Sequence, residues 1–327
     1  MNIRTFRNLL RRDVNFGLFG LTCALLVLAL LHPYARLKQD AFNYLVVVDI
    51  TQSMNTLDYH QGKKPVSRLV FVKQALEQAL SRLPCGSKIG LGIFTEYRSF
   101  VLFEPVEVCA NYREISTTLA GIDERMAWVG SSEIAKGLYS GLHTASNLPG
   151  RPALVFITDG QEAPPVNPRH RPALDGKPGD AKGVIIGAGG FVPMPIPKFD
   201  PDGRPLGYWR ADEVLQTDTY SLGRGASVEG EKMVETEEAP GVSLGATPGS
   251  EHLSSLREPY LKLLAKETGL AYRRLGSPDD LIAALKDHAL AQQQTMSDDL
   301  AWIPALLALA CLVGVYGIPA SYRSKSV

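Results

Sequence analysis

Residues 45–53 read Leu45-Val46-Val47-Val48-Asp49-Ile50-Thr51-Gln52-Ser53, and this stretch decides the fold. A run of apolar, mostly β-branched residues ends in an acid, as expected of a strand buried on both faces of a parallel sheet. Asp49 then stands at the strand's carboxyl end, with the hydroxyls of Thr51 and Ser53 in the turn before a helix. Open α/β sheets keep their ligands along that edge. One carboxylate with alternate hydroxyls is an oxygen-only donor set, suited to a hard cation such as Mg²⁺ rather than to zinc. A buried strand capped by an acid is the plainer alternative.

Two further segments follow the same logic. Ala153-Leu154-Val155-Phe156-Ile157-Thr158-Asp159-Gly160 is a second buried strand ending in an acid and a glycine. Between the two strands lies Gly130-Ser131-Ser132-Glu133-Ile134-Ala135-Lys136-Gly137-Leu138, a small-residue loop at the head of a helix. Together the three segments resemble the metal-ion-dependent adhesion site of von Willebrand factor A domains. That site is built on Asp-x-Ser-x-Ser, a Gly-Thr-x-Ile-Gly-x-Ala-Leu loop and a distal Asp. Thr51 stands in the middle hydroxyl position, Ser132 in place of the loop threonine, and Ser131 in place of the preceding glycine. The resemblance implies that Asp49, Thr51, Ser53, Ser132 and Asp159 hold Mg²⁺, or Ca²⁺ or Mn²⁺, some of them through water. A six-coordinate Mg²⁺ with so few protein charges keeps exchangeable waters, and one can give way to a carboxylate. The implied partner is a protein presenting an Asp or Glu.

The expected fold is a doubly wound, mostly parallel α/β sheet. A helix is predicted over 66–83, an antiparallel pair over 88–94 and 100–103, and helices over 112–119 and 133–146. Strands follow at 153–158 and 183–187, then a helix at 258–268, a strand at 270–275 and a closing helix at 278–290. The stretch 192–255 exceeds this plan. Asp200-Pro201-Asp202-Gly203 within it is a strong turn signal, which makes a β-hairpin the reading and a calcium loop the lesser alternative, since the remaining ligands are missing. Val228–Ser250 is acidic or small-residue chain with a loop's composition. The insertion leaves the strand after the one ending at Asp159, so it is placed to reach the metal edge.

The chain has 327 residues, with 34 basic balancing 34 acidic. Val14–Leu31 and Leu300–Ala320 are apolar enough to be read as membrane spans. Arg4, Arg7, Arg11 and Arg12 precede the first, Arg323 and Lys325 follow the second, and His32-Pro33-Tyr34-Ala35-Arg36 offers no Ala-x-Ala cleavage site. The expected organisation is a basic tail and span over 1–32, a periplasmic domain over 33–299, a span over 300–320 and a tail over 321–327. This would be an inner-membrane protein with both termini in the cytoplasm. Cys23 and Cys311 fall in the spans. Cys85 and Cys109 bracket the antiparallel pair, which brings them close enough for a disulfide in an oxidising compartment.

Other chemistries leave no trace. Gly187-Ala188-Gly189-Gly190 leads into Phe-Val-Pro rather than a helix, and neither a Walker A sequence nor a Gly-x-Ser-x-Gly elbow occurs. The six histidines have no zinc spacing. Arg169-His170-Arg171 and Arg273-Arg274 are too small for nucleic-acid binding at zero net charge. An aspartate-nucleophile hydrolase would need a second acid two residues after Asp49, where Thr51 stands, so the chain reads as a non-enzyme. A von Willebrand A domain between two spans resembles the bacterial proteins encoded beside MoxR-type AAA+ ATPases. The run Val48–Asn55 with Asp58-Tyr59, together with Pro-Ile-Pro-Lys…Asp-Gly…Gly-Tyr-Trp in the insertion, resembles the accessory proteins of pyrroloquinoline-quinone methanol dehydrogenase. That resemblance implies a factor assisting the dehydrogenase or its accessory subunits, with calcium insertion as one such task. A metal-free scaffold for another periplasmic complex is the competing expectation.

Overall fold

The computed structural model describes residues 3–127, 130–223, 233–235, 244 and 249–316. The chain divides into two units, one formed by the two ends and the other by Asp40–Gln292. Most of the expected Val228–Ser250 loop and the tail from 321 lie outside the described residues.

The Asp40–Gln292 unit is built on one sheet of six strands: β1 (Asn43–Asp49), β2 (Lys88–Thr95), β3 (Arg98–Glu107), β4 (Ala153–Thr158), β5 (Gly183–Ala188) and β6 (Ala271–Leu275). Their spatial order is β6-β5-β4-β1-β2-β3. Every neighbouring pair is parallel except the β2–β3 hairpin. The order reverses between β1 and β4, and this switch point is where a doubly wound sheet opens a crevice beyond its carboxyl ends. Asp49 ends β1, and Asp159 follows β4 directly.

Side chains of the central strands alternate between two apolar layers, as the two-residue period of a strand requires. Tyr44, Val46, Val48, Val155 and Ile157 face the layer made with α1 (Arg68–Leu80), α2 (Tyr112–Gly121) and α5 (Pro278–Leu285). Leu45, Val47, Leu154 and Phe156 face the opposite layer, covered by α3 (Ile134–Asn147) and α4 (Glu258–Thr268). β1 is buried at all seven positions, which is why its sequence is a near-continuous apolar run.

Most element boundaries fall where the periodicity places them. The helix expected over 66–83 is shorter, because Lys64–Val66 pairs with Tyr59–Gln61 in a small hairpin. Ser67 then caps α1, its side chain accepting from the Val70 N–H. The closing helix stops at Leu285, and His288–Leu290 is a separate 3₁₀ turn. Cys85 and Cys109 are joined by a disulfide with their Cα atoms 5.3 Å apart. In the insertion, Pro197–Phe199 pairs with Pro205–Tyr208. The expected turn joins them: the Asp200 carboxylate accepts from the N–H groups of Asp202 at 3.0 Å and Arg204 at 2.7 Å. Met194–Pro195 pairs with Leu253–Ser254, so the two roots of the insertion are stitched together.

The other unit contains a helix over Ile3–Leu30 and one described over Trp302–Tyr316. Phe19 and Tyr316 meet edge to face at 5.8 Å. Among the described residues no helix is long and apolar enough to cross a membrane. The apolar part of the first helix, from Val14, spans only about 26 Å at 1.5 Å per residue, against a hydrocarbon core of about 30 Å. Residues 317–320 of the second expected span lie outside the described residues, so neither span is shown.

Candidate metal centre

The five residues singled out by sequence converge on the switch point, and every one is buried. β1 and its following turn deliver Asp49, Thr51 and Ser53. Thr51 is extended and Ser53 lies in a 3₁₀ turn over Gln52–Asn55. The Asp49 carboxylate accepts from Thr51 on one oxygen, through N–H at 2.9 Å and hydroxyl at 2.7 Å. Its other oxygen accepts from the Thr158 hydroxyl at 2.6 Å. The hydroxyls of Thr51 and Ser53 stand 3.3 Å apart. Ser132 is brought in by two bridges, parallel to Glu96 and antiparallel to Ala163. Its hydroxyl oxygen is buried and has no hydrogen-bond partner among the described residues.

Asp159 is held differently. One carboxylate oxygen accepts from the Gln161 N–H at 2.9 Å. The other accepts from the Arg68 guanidinium at 2.5 Å and from the Ser254 hydroxyl at 3.1 Å. Gly160 makes this turn possible: its φ is +79°, and a Cβ there would lie 2.9 Å from Leu261. Arg68 has no exposed surface. Its Nε and Nη2 donate to one oxygen of Asp58 at 2.9 and 2.6 Å, and its Nη1 also donates to Ser254 at 2.6 Å. The Asp58 oxygen further accepts from the Gly190 N–H at 2.8 Å. Burial works against the Arg68 charge, but Asp159 and Asp58 outweigh it and hold its pKa above the ordinary arginine value. Asp49, by contrast, is pushed up to about 7 by burial and by the neighbouring Asp159 charge, its hydrogen bonds offsetting only part of this.

A cavity of about 270 Å³ opens on this edge and is lined by Thr51, Ser53, Ser131 and Ser132. The insertion contributes Ile196, Trp209, Val214 and Leu215 to its lining. Neither Asp49 nor Asp159 lines it. Its three acids are already engaged. Glu162 accepts from the N–H groups of Ile134 and Ala135 and from the Tyr260 hydroxyl. Glu213 pairs with Lys198 at 2.7 Å, and Glu251 lies 3.8 Å from Arg257. Burial pushes Glu162 up to about 7.

The donor set fits a hard cation. Asp49 and three hydroxyls are oxygen ligands, and a cation at the cavity wall would give the orphaned Ser132 oxygen a partner. Asp159 already faces a fixed cation in Arg68. Sequence reading singled out neither Arg68 nor Ser254, and it quoted Asp58, Thr158 and Trp209 only within motifs, without a role at the site. One signal pointed to Arg68: Val72, Leu76 and Ala79 form a buried helical stripe, and stepping back one turn lands on that residue.

No family model and no curated protein matches the sequence. Among solved structures, an aerotolerance-related membrane protein from Bacteroides fragilis is similar over 75% of this chain and 96% of its own, at 16% identity and a TM-score of 0.47. An uncharacterised membrane-spanning protein from Vibrio fischeri covers 73% of this chain and 93% of its own, with 18% identity and a TM-score of 0.28. The ArnB paralog VWA2 of Sulfolobus acidocaldarius covers 47% and 36%, with 14% identity and a TM-score of 0.29. Likenesses this distant say nothing of what the site binds. The chain's own architecture is a mixed α/β unit on a six-stranded, mostly parallel sheet with two buried acids at its switch point.

Proposed function

We propose that this chain is a von Willebrand A-type, metal-dependent protein-binding module, held at the membrane by its apolar ends. Its cation edge, Asp49 with Thr51, Ser53 and Ser132, takes a carboxylate from a partner protein. The observation that carries the reading is that Thr51, Ser53 and Ser132 line one cavity, with the buried Ser132 oxygen lacking a partner among the described residues. A bound cation would supply the positive charge that a partner carboxylate needs beside Glu162, Glu213 and Glu251. On the sequence resemblance, the role is that of a periplasmic accessory factor. It would help a pyrroloquinoline-quinone methanol dehydrogenase mature, including calcium insertion, together with a MoxR-type ATPase system.

An enzymatic reading has less support. Both Asp49 oxygens accept hydrogen bonds and the residue has no exposed surface, which leaves a poor nucleophile. The metal-free scaffold keeps one specific observation in its favour: Asp159 is satisfied by Arg68, Ser254 and Gln161 without any ion.

The test is affinity capture by the full chain, wild type against Asp49→Ala and Ser132→Ala, with Mg²⁺ and with chelator. Ser132→Ala removes an oxygen that bonds nothing among the described residues, so it should fold normally and lose the Mg²⁺-dependent rise in melting temperature. Capture of a quinoprotein dehydrogenase or its subunits only with metal and an intact site supports the proposal. Equal capture by all samples makes the protein a scaffold.

A further inference from the structure

The cavity holds unmatched groups that a metal does not use. Among the described residues the buried indole N–H of Trp209 has no hydrogen-bond partner. Nor has the buried side-chain oxygen of Gln161, whose amide nitrogen already donates to the carbonyls of Glu251 at 3.0 Å and Leu253 at 3.3 Å. That pair of bonds fixes which way the amide points, leaving its oxygen as a lone acceptor. Both residues line the same cavity as Thr51, Ser53 and Ser132. The same cavity is lined by the apolar side chains of Ile196, Val214 and Leu215. Trp209 is not free to turn away. Its backbone N–H donates to Ile196 at 3.0 Å, and the Lys198 ammonium lies 4.3 Å from its ring centre.

One lone donor, one lone acceptor and an apolar wall match what an extended peptide offers: a carbonyl, an N–H and a side chain. Buried polar groups are satisfied in nearly every native site, so orphans lining one cavity mark the chemistry of what fills it. No basic residue is among the described residues lining the cavity, so its walls give a second free anion no counter-charge.

We infer that this cavity reads a short peptide segment of the partner, in which an acidic residue adjoins a bulky apolar one. The acid addresses the cation edge, the apolar side chain packs against Ile196, Val214 and Leu215, and the main chain bonds to Trp209 and Gln161. The inference rests on the proposed carboxylate-binding role and adds to it the residue type beside the acid. The insertion is thereby the specificity element. The sheet edge supplies the cation, and the hairpin supplies the choice of ligand.

The experiment titrates N-acetyl-Leu-Glu-amide into the full-length protein in excess Mg²⁺. N-acetyl-Gly-Glu-amide and N-acetyl-Leu-Gln-amide are the controls, and wild type is compared with Trp209→Phe and Asp49→Ala. The Leu-Glu peptide should bind about tenfold or more tightly than Gly-Glu, the size of effect expected from burying one leucine side chain. Trp209→Phe keeps an aromatic ring and loses the N–H, so it should weaken Leu-Glu binding about fivefold. Its Mg²⁺-dependent rise in melting temperature should remain, which shows that the variant folds and keeps the metal.

Equal binding of Gly-Glu and Leu-Glu, or no effect of Trp209→Phe, overturns the inference and leaves the carboxylate reading standing. Failure of Leu-Glu to bind wild type that responds to Mg²⁺ does the same. Leu-Gln binding as tightly as Leu-Glu, or no response to Mg²⁺ at all, overturns the underlying reading as well.

Discussion

Removing the Arg68 charge puts the clamp beneath the site to the test. Arg68→Met keeps a long apolar side chain and deletes a guanidinium that has no exposed surface. In the native protein that group faces two carboxylates, Asp159 at 2.5 Å and Asp58 at 2.6 Å, whose side chains are 0% and 7% exposed. The variant therefore leaves two buried acids without their cation. Breaking a buried pair from one side costs about 3–5 kcal/mol, because the remaining charge stays desolvated. Asp58 keeps one bond from the Gly190 N–H and Asp159 keeps those from Gln161 and Ser254, so a loss within that range is expected rather than one of twice the size. The double variant Arg68→Met/Asp159→Asn removes the orphaned charge along with its partner. It should be more stable than the sum of the two single losses by about 1–3 kcal/mol. Urea unfolding of the wild type, both single variants and the double variant measures all four corners of the cycle. Single losses below about 1 kcal/mol that simply add would mean that the guanidinium is solvated and ties nothing together.

Three further outcomes follow from the same geometry. Glu162 has a folded pKa near 7 against an ordinary value of 4.5. Its protonated form favours the folded state, so its contribution is full below about pH 4.5 and is lost as pH rises to 7, a change of about 3 kcal/mol. Asp49, also pushed up to about 7, titrates over the same range, so Glu162→Gln should remove only its own share of that slope, and an unchanged slope would place the titration elsewhere. Replacing Cys85 and Cys109 by alanine opens a loop with a sequence separation of 24. The chain-entropy relation then gives a loss of about 3.4 kcal/mol, read as a shift of the urea midpoint without loss of the sheet's circular dichroism. Gly189→Ala should destabilise by more than an ordinary surface change, since its φ is +133° and the added Cβ would sit 2.9 Å from the Arg68 Nε. Pairing it with Arg68→Met should relieve part of that loss if the clash is with this side chain.

The sheet was legible because parallel strands buried on both faces must be written as apolar runs, and Asn43–Asp49 and Ala153–Thr158 carry little else. The switch-point acids were legible for a related reason. An acid that ends such a run is out of place in a core and demands a local explanation. The clamp was not readable from the same pattern. Arg68 lies ten residues after Asp58 but 91 before Asp159 and 186 before Ser254, and neither Arg68 nor Ser254 belongs to a recognisable motif. Only the folded chain shows one guanidinium reaching Asp159 of the site and Ser254 at the root of the insertion. Through Asp58 it also meets Gly190, just before the other root. This connection has a mechanical consequence. A cation that drew Asp159 toward Thr51 and Ser53 would have to weaken its bond to Arg68, and the same arginine holds Ser254. The roots of the insertion and the charge balance of the site are therefore tied through Arg68, and a cation bound at the sheet edge would be felt at Ser254 and Gly190.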